Sequence, residues 1–203
     1  MNTLIFCIAA MIYGNYAQKL KFSKYVSDKR LKDLLEKDVL TGLYNRYRYN
    51  LELDRIRQEK SAVTVCSFDV NGLKTVNDTL GHAAGDELIT AAGECIRETF
   101  GPYGEVFRTR GDEFMALLPG EQQKTGEMFL EMKKKGALKK GRYFNGLYIS
   151  CGAAAVPAGG DFENALSQAL KAADDNMYED KEAYYRENRI DRRRLPLCGN
   201  SLT

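Results

Sequence analysis

Histidine is almost absent from this sequence: His82 is the only one in 203 residues. The five cysteines, Cys7, Cys66, Cys95, Cys151 and Cys198, lie far apart and include no Cys-x-x-Cys pair. A zinc site draws on grouped Cys and His, so it has no ligand set here, and a disulfide framework has no support. This usage points to a reducing compartment for the main domain. Charge of one sign is also missing. Lys and Arg number 30 against 28 Asp and Glu, a net charge of +2, too small to argue for a nucleic-acid partner. There is no long hydrophobic run: "TLIFCIAAMIYGNYA", the apolar stretch before Lys19, falls short of the roughly 20 residues that cross a bilayer. It also lacks the basic start and the cleavage site of a signal peptide. No internal repeat is present.

What is there suits a globular protein, with 44% hydrophobic and 29% charged residues. Lys19, Lys21, Lys24, Lys29, Arg30 and Lys32 follow the apolar stretch. Such a basic flank stays on the cytoplasmic side of a membrane. Segment 1–17 is therefore expected to be a membrane anchor, or the last helix of a truncated membrane region, with a partner-packed amphipathic helix as the alternative. Segment 18–37 contains neither Pro nor Gly and reads as a helical linker, able to pair with a copy of itself. The globular domain is expected over 38–194, followed by a basic tail over 195–203.

Within the domain, hydrophobic periodicity alternates between helix and strand. "GLYNRYRYNLELDRIRQEK" reads as a helix with Leu43, Tyr47, Leu51 and Ile56 inward. "AVTVCSFDV" is a continuous β-favouring run, as in a strand buried on both faces. "GDELITAAGECIRETF" places Leu88, Ile89, Ala92, Cys95, Ile96 and Thr99 at helical spacing. A strand pair follows in "EVFRTRGDEFMALL", then a polar helix over Gln122 to Lys135 and a strand in "GLYISCGAAAV". Asp161 can cap a last helix that buries Phe162, Ala165, Leu166, Ala169, Leu170, Ala173 and Met177. This order predicts an α+β fold, with a mostly antiparallel central sheet flanked by helices and an N-terminal hydrophobic or linker helix.

Asp69 ends the buried run, so its carboxylate emerges where a strand leaves the core. A hairpin beside that strand brings Asp112 and Glu113 to the same rim. Three converging carboxylates repel one another unless a cation lies between them, and magnesium suits oxygen ligands shared with substrate phosphates. Two such ions can activate a hydroxyl and stabilise a leaving oxygen. Taken singly, Asp69 also reads as a strand-end turn residue, and "RGDEF" as a charged hairpin tip.

Together these residues form a resemblance. "RTRGDEF" resembles the signature of the GGDEF-type diguanylate cyclases, with Arg110 at the first glycine. "FDVNGLKTVNDTLGHAAGDEL" resembles that family's metal and guanine segment, "DVLTGLYNR" its opening motif and "AADDNMYEDK" the end of its last helix. The resemblance implies a palm-like nucleotide-cyclase fold and the condensation of two GTP to cyclic di-GMP with loss of two pyrophosphates. It implies magnesium, with manganese as the alternative, held by Asp69, Asp112 and the carbonyl of Val70. Glu113 then assists deprotonation of the ribose 3′-hydroxyl. Lys74 and Lys181 match phosphate contacts, while Asn77, Asp86 and His82 match the substrate-binding segment. For Asp86 the chemistry is specific, because a carboxylate accepts from guanine N1–H and its 2-amino group; Asp86 also reads as a helix N-cap. A second phosphate-binding arginine lacks a clear match, Arg186 being the nearest. Asn71 stands where many relatives have aspartate, and Gly101-Pro102-Tyr103-Gly104 replaces the Arg-x-x-Asp of the product-inhibition site.

A glycine at position 110 would permit φ > 0 and close approach of a nucleotide, which Arg110 makes costly. A hairpin with Gly111 at its second central position is still expected. One nucleotide per domain and two per product imply a homodimer. The competing reading is a catalytically degenerate domain that binds GTP or a protein as a regulatory module.

Overall fold

The computed structural model describes residues 2–188 and divides the chain into two compact units, Met1–Lys37 and Asp38–Thr203. The tail over 195–203 lies outside the described residues. In the first unit a single helix, α1, runs from Asn2 to Glu36. Tyr13, Tyr16, Leu20, Leu31, Leu34 and Leu35 along it are exposed. Among the described residues, no helix is long and apolar enough to cross a membrane. The apolar stretch is interrupted by polar side chains and ends in lysines before it reaches spanning length.

The second unit is built on one sheet. Its elements are β1 (Tyr44–Asn45), α2 (Arg46–Glu59), β2 (Val63–Val70), α3 (Leu73–Leu80), α4 (His82–Phe100), β3 (Glu105–Arg110), β4 (Glu113–Pro119), α5 (Thr125–Leu138), β5 (Ile149–Val156) and α6 (Phe162–Glu187). The strands lie in the order β1-β3-β4-β2-β5. Only the short β1–β3 pair is parallel; the other three pairs are antiparallel. The α+β fold with a mostly antiparallel sheet is thus the observed one.

All eight residues of β2 are buried, because it is the fourth of five strands and is covered on both faces. Strand periodicity sends alternate residues to opposite sides. Cys66, Phe68 and Val70 join Phe114, Ala116 and Leu118 of β4 in a core closed by α4 and α5. Val63 and Val65 join Met115 and Leu117 in a second core closed by Leu53 and Ile56 of α2 and by Phe162, Leu166, Ala169 and Ala173 of α6. The Phe68 and Phe100 rings meet edge to face at 4.9 Å.

The inward set expected for the first helix of the domain is corrected. That helix starts at Arg46, where Asn45 Oδ1 accepts from the Arg48 N–H at 3.1 Å. Leu43 is buried but precedes the helix, Tyr47 and Leu51 are exposed, and Glu52, Leu53 and Ile56 face inward. Glu52 tolerates that position because Arg55 and Arg48 pair with it. In α4 the expected face is observed, with Leu88, Ile89, Ala92, Cys95, Ile96 and Thr99 all buried. Asp161 occupies the N-cap position of α6, but its side chain makes no capping hydrogen bond.

Candidate active site

The register of β2 and β4 builds the carboxylate rim. Asp69 stands directly opposite Glu113, and residues opposed in an antiparallel pair share one face of the sheet. Asp112 lies in the turn just before β4, and its carbonyl accepts from the Val70 N–H at 3.1 Å. Asp69 and Asp112 therefore meet at the end of one ladder, with Val70 between them. Asp69 is buried, and among the described residues its cationic partner is Lys181, whose Nζ lies 2.5 Å from Oδ1. Burial pushes the Asp69 carboxyl above its ordinary range; Lys181 pulls it back, and the charges of Asp112 and Glu113 push it up again.

Lys181 arrives there because α6 is locked onto the sheet at several points. Ser67 Oγ donates to Asp174 Oδ1 at 2.6 Å. Asn176 Nδ2 donates to the Ala153 carbonyl at 3.0 Å, and the Cys151 N–H donates to Asp180 Oδ2 at 3.0 Å. Asp180 also pairs with Lys133 of α5 at 2.6 Å. These groups satisfy the free edge of β5 and set the helix register. Gly152 lets α6 approach so closely, since a Cβ there would collide with the backbone at Ala173 and Met177. Asp174 and Asp180 were not singled out by sequence reasoning, although both lie within the "AADDNMYEDK" motif.

Arg108 holds the hairpin tip. Its guanidinium donates to the Gly111 carbonyl at 3.0 and 2.8 Å and to Asp38 Oδ1 at 3.0 Å. Asp38 also accepts from the Thr41 N–H and hydroxyl, at 2.9 and 2.8 Å. The opening motif and the signature motif are thus joined through one arginine that sequence reasoning passed over.

The expectation for Arg110 is corrected. It is the last residue of β3 and pairs across the hairpin with Glu113, which makes Gly111 the first central turn residue and Asp112 the second. The only described non-glycine residue with positive φ is Lys60, so the backbone at Arg110 carries no left-handed strain. The ladder shifts register between Arg108 and Arg110, as in a β-bulge. The Arg110 side chain is 63% exposed and stands 3.9 Å from Glu113 Oε2. Both line a pocket of about 630 Å³ together with Arg46, Ser67, Asp174 and Tyr178.

The remaining site residues lie on α3 and α4. Gly72, two residues past Val70, is the N-cap of α3, so the free N–H groups of that helix open at the carboxylate end of the sheet. Lys74 is exposed in the first turn. Asn77 packs its amide against Gly85, where any Cβ would collide with it, and Asp86 is the exposed next residue. Asp86 is not an N-cap: α4 begins at His82, with Gly81 at the cap position, and Asp86 lies inside the first two turns. His82 is exposed. Asn71 is engaged with Ser150 Oγ at 2.9 Å. Arg186 is exposed in the last turn of α6.

Among the described residues, no group of three or more His, Cys, Asp or Glu side chains is placed to hold a metal ion. The three expected carboxylates share a rim without forming a closed ligand cage. The donor set is nevertheless all oxygen, two carboxylates beside a backbone carbonyl. That fits an ion which completes its shell with water and phosphate oxygens.

The chain matches the family described as "Diguanylate cyclase, GGDEF domain" over residues 35–187, and it belongs to that family. It is 29% identical over 148 residues to diguanylate cyclase DgcS of Shewanella oneidensis, covering 71% of this chain and 49% of that protein. It is 29% identical over 168 residues to diguanylate cyclase DgcP of Pseudomonas aeruginosa, covering 80% of this chain and 24% of that one. A shorter match, 33% over 91 residues, is to the cyclic di-GMP phosphodiesterase PdeB of S. oneidensis, covering 43% of this chain and 11% of that one. The chain thus spans about half or less of the length of these curated relatives. Among solved structures, the coiled coil and GGDEF domain of DgcB from Caulobacter crescentus, in complex with c-di-GMP, superposes with a TM-score of 0.68 at 22% identity, covering 87% of this chain and 95% of that one. The GGDEF domain of PA1120 from P. aeruginosa gives a TM-score of 0.59 at 27% identity, covering 72% and 89%.

Proposed function

We propose that this chain is a diguanylate cyclase that condenses two GTP to cyclic di-GMP. The observation that carries the reading is the pairing of Asp69 with Glu113, with Asp112 at the adjoining turn and Lys181 on Asp69. A carboxylate rim of this kind has a use where a polyphosphate and a hydroxyl react.

In this reading Asp69, Asp112 and the Val70 carbonyl hold magnesium or manganese, which lowers the pKa of a hydroxyl and offsets phosphate charge. Glu113 accepts the proton of the attacking 3′-hydroxyl. Lys181 exchanges Asp69 for a phosphate oxygen, and Lys74 with the first N–H groups of α3 meets the same triphosphate. Asn77 and Asp86 read the guanine edge, with His82 at the mouth of that loop. Each domain holds one GTP, so two copies face each other about a two-fold axis. The domain limits that go with this reading are a cyclase domain over 38–194, a helical linker over 18–37 and an N-terminal hydrophobic segment over 1–17. Membrane attachment through that last segment, with the cyclase on the cytoplasmic side, is supported by its uncharged residues and the lysine flank. It needs more apolar length than α1 provides to become a crossing.

A regulatory, non-catalytic GTP-binding module is the second reading. It is favoured by one observation, the Arg110 guanidinium beside Glu113. Incubation of the full chain with GTP and magnesium, followed by chromatography, separates the two. The cyclase reading expects cyclic di-GMP and its loss in Asp112→Asn. GTP binding without product supports the module instead.

A further inference from the structure

We propose that Asn71 and Ser150 are a pair of positioning residues that aim the Val70 carbonyl at the proposed metal site beside Asp69 and Asp112. This rests on the reading of Asp69, Asp112 and that carbonyl as the metal-holding set. A backbone oxygen is aimed only by the peptide units around it, and here both are held. The Val70 N–H donates to the Asp112 carbonyl at 3.1 Å, and the Asn71 N–H donates to that of Tyr148 at 3.0 Å. A trans peptide is planar, with its C=O and N–H pointing opposite ways. The Asn71 N–H points to the β5 side of β2, so the Val70 carbonyl points to the β4 side, where Asp112 lies. Opposed residues of an antiparallel ladder that bond at all usually exchange two bonds. Among the described residues, the Asp112 N–H does not return one to the Val70 carbonyl, which leaves that oxygen without its ladder donor.

Val70 is the last residue of β2, and the chain turns from there into α3 at Leu73, so the strand ladder ends at this peptide. Asn71 supplies a hold beyond it. Its Nδ2 donates to Ser150 Oγ at 2.9 Å, and its Oδ1 lies 3.1 Å from the same oxygen, within reach of the hydroxyl proton. Ser150 stands on β5 directly opposite Asp69 and is 1% exposed. A hydroxyl buried to that extent is costly without a partner, and Asn71 is the side chain that meets it. Opposed residues share a face of the sheet, and alternate residues of a strand do so too. The contact therefore ties the first residue past β2 to β5 on the face that carries Asp69.

The amide also suits the charge of this corner. Asp69, Asp112 and Glu113 already share the rim. A carboxylate at position 71 would accept from the Ser150 hydroxyl equally well, but it would add a fourth negative charge. Asn71 makes the contact without one. Neither residue is a metal ligand in this arrangement, because the amide and the hydroxyl are engaged with each other. They act through the Val70 carbonyl, as the hydrogen-bond partners of metal-ligating groups do elsewhere.

Equilibrium dialysis of manganese(II) against the full chain, with α,β-methylene GTP present, reads the metal held by the protein. That nucleotide cannot release pyrophosphate, so binding is separated from turnover. Ser150→Ala and Asn71→Ala are each expected to weaken manganese binding about tenfold, the low end for such partners. The double variant should bind no more weakly than either single one, because the two residues share one contact. Asn71→Asp keeps an acceptor for the Ser150 hydroxyl and should bind at least as tightly as the parent. Asn71 is only half-buried, so its variants carry the comparison even if Ser150→Ala fails to fold. Unchanged binding in a folded Ser150→Ala or in Asn71→Ala, whatever the melting temperature, overturns the proposal and leaves the pair a purely structural contact. So do losses that multiply in the double variant, or a loss in Asn71→Asp equal to that in Asn71→Ala. A parent protein that holds no manganese overturns the metal reading itself, and this proposal with it.

Discussion

Arg110 and Asp38 show how much a single side chain carries in this hairpin. Arg110 sits in ordinary strand geometry with its guanidinium in solvent, so it does not strain the fold. Arg110→Ala is expected to change stability by less than about 0.5 kcal/mol, read from chemical unfolding. Its effect on catalysis is then a direct reading of the guanidinium. A positive group beside the proposed triphosphate site should favour nucleotide, so in the variant KM for GTP should rise roughly two- to fivefold at near-constant turnover, as for a modest charge contact. Faster turnover in the variant would mean that the guanidinium crowds the reacting groups instead. At Asp38, burial alone would raise the pKa, but hydrogen bonds from Thr41 and Arg108 outweigh it and hold the carboxyl below its ordinary value. A depressed pKa contributes stability that is present above the unfolded value, near pH 4, and is lost as pH falls through the folded one. Unfolding free energy measured from neutral to acid pH should therefore fall less steeply in Asp38→Asn than in the parent protein. Equal slopes would show that the Asp38–Arg108 bracket contributes nothing to acid sensitivity.

Among the elements, α6 does most to position the site. It covers the edge of β5, satisfies that strand through Asn176 and Asp180, and delivers Lys181 to Asp69. The contact depends on the missing side chain of Gly152, under which three backbone atoms of α6 lie, at Ala173, Asn176 and Met177. Gly152→Ala should cost at least 1–3 kcal/mol, roughly the range for overpacking a well-filled contact, because helix backbone cannot move aside as a side chain can. Thermal melting would measure it, and a melting temperature equal to that of the parent would show that α6 approaches the sheet less closely than described. The hydrophobic periodicity of α6 and α4 was legible, since each buries a face repeated every three or four residues. The boundary of α2 was not legible, because "GLYNRYRYN" continues the apolar spacing through a two-residue strand and the Asn45 cap.

For the whole molecule, the proposed site holds one nucleotide per domain, while the proposed product needs two. Activity per enzyme should then rise with enzyme concentration in the range where ultracentrifugation shows monomers associating. A rate per enzyme that stays constant under dilution, in a protein that remains monomeric, would refute the two-half-site mechanism. The exposed Tyr13, Tyr16, Leu20, Leu31 and Leu34 of α1 give the first unit an apolar surface that a second copy can cover. Shortening the chain to remove part of 18–37 should shift the association midpoint to higher concentration, because tethering raises the effective concentration of the two halves.

The sequence by itself determined which residues meet at the rim and the class of fold that carries them. Those signals are local: a buried β run ending in Asp69, a hairpin around Gly111 and helices with repeating apolar faces. It did not determine that Gly111 takes the first turn position, that Asp86 lies within a helix, or that Arg108 and Asp38 brace the hairpin. Those outcomes depended on partners distant in the chain. Arg108 and Asp38 are 70 residues apart, Ser67 and Asp174 are 107 apart, and Asp69 and Lys181 are 112 apart. No spacing or propensity encodes such pairs, because they form only when strand register and helix packing set the distance between them.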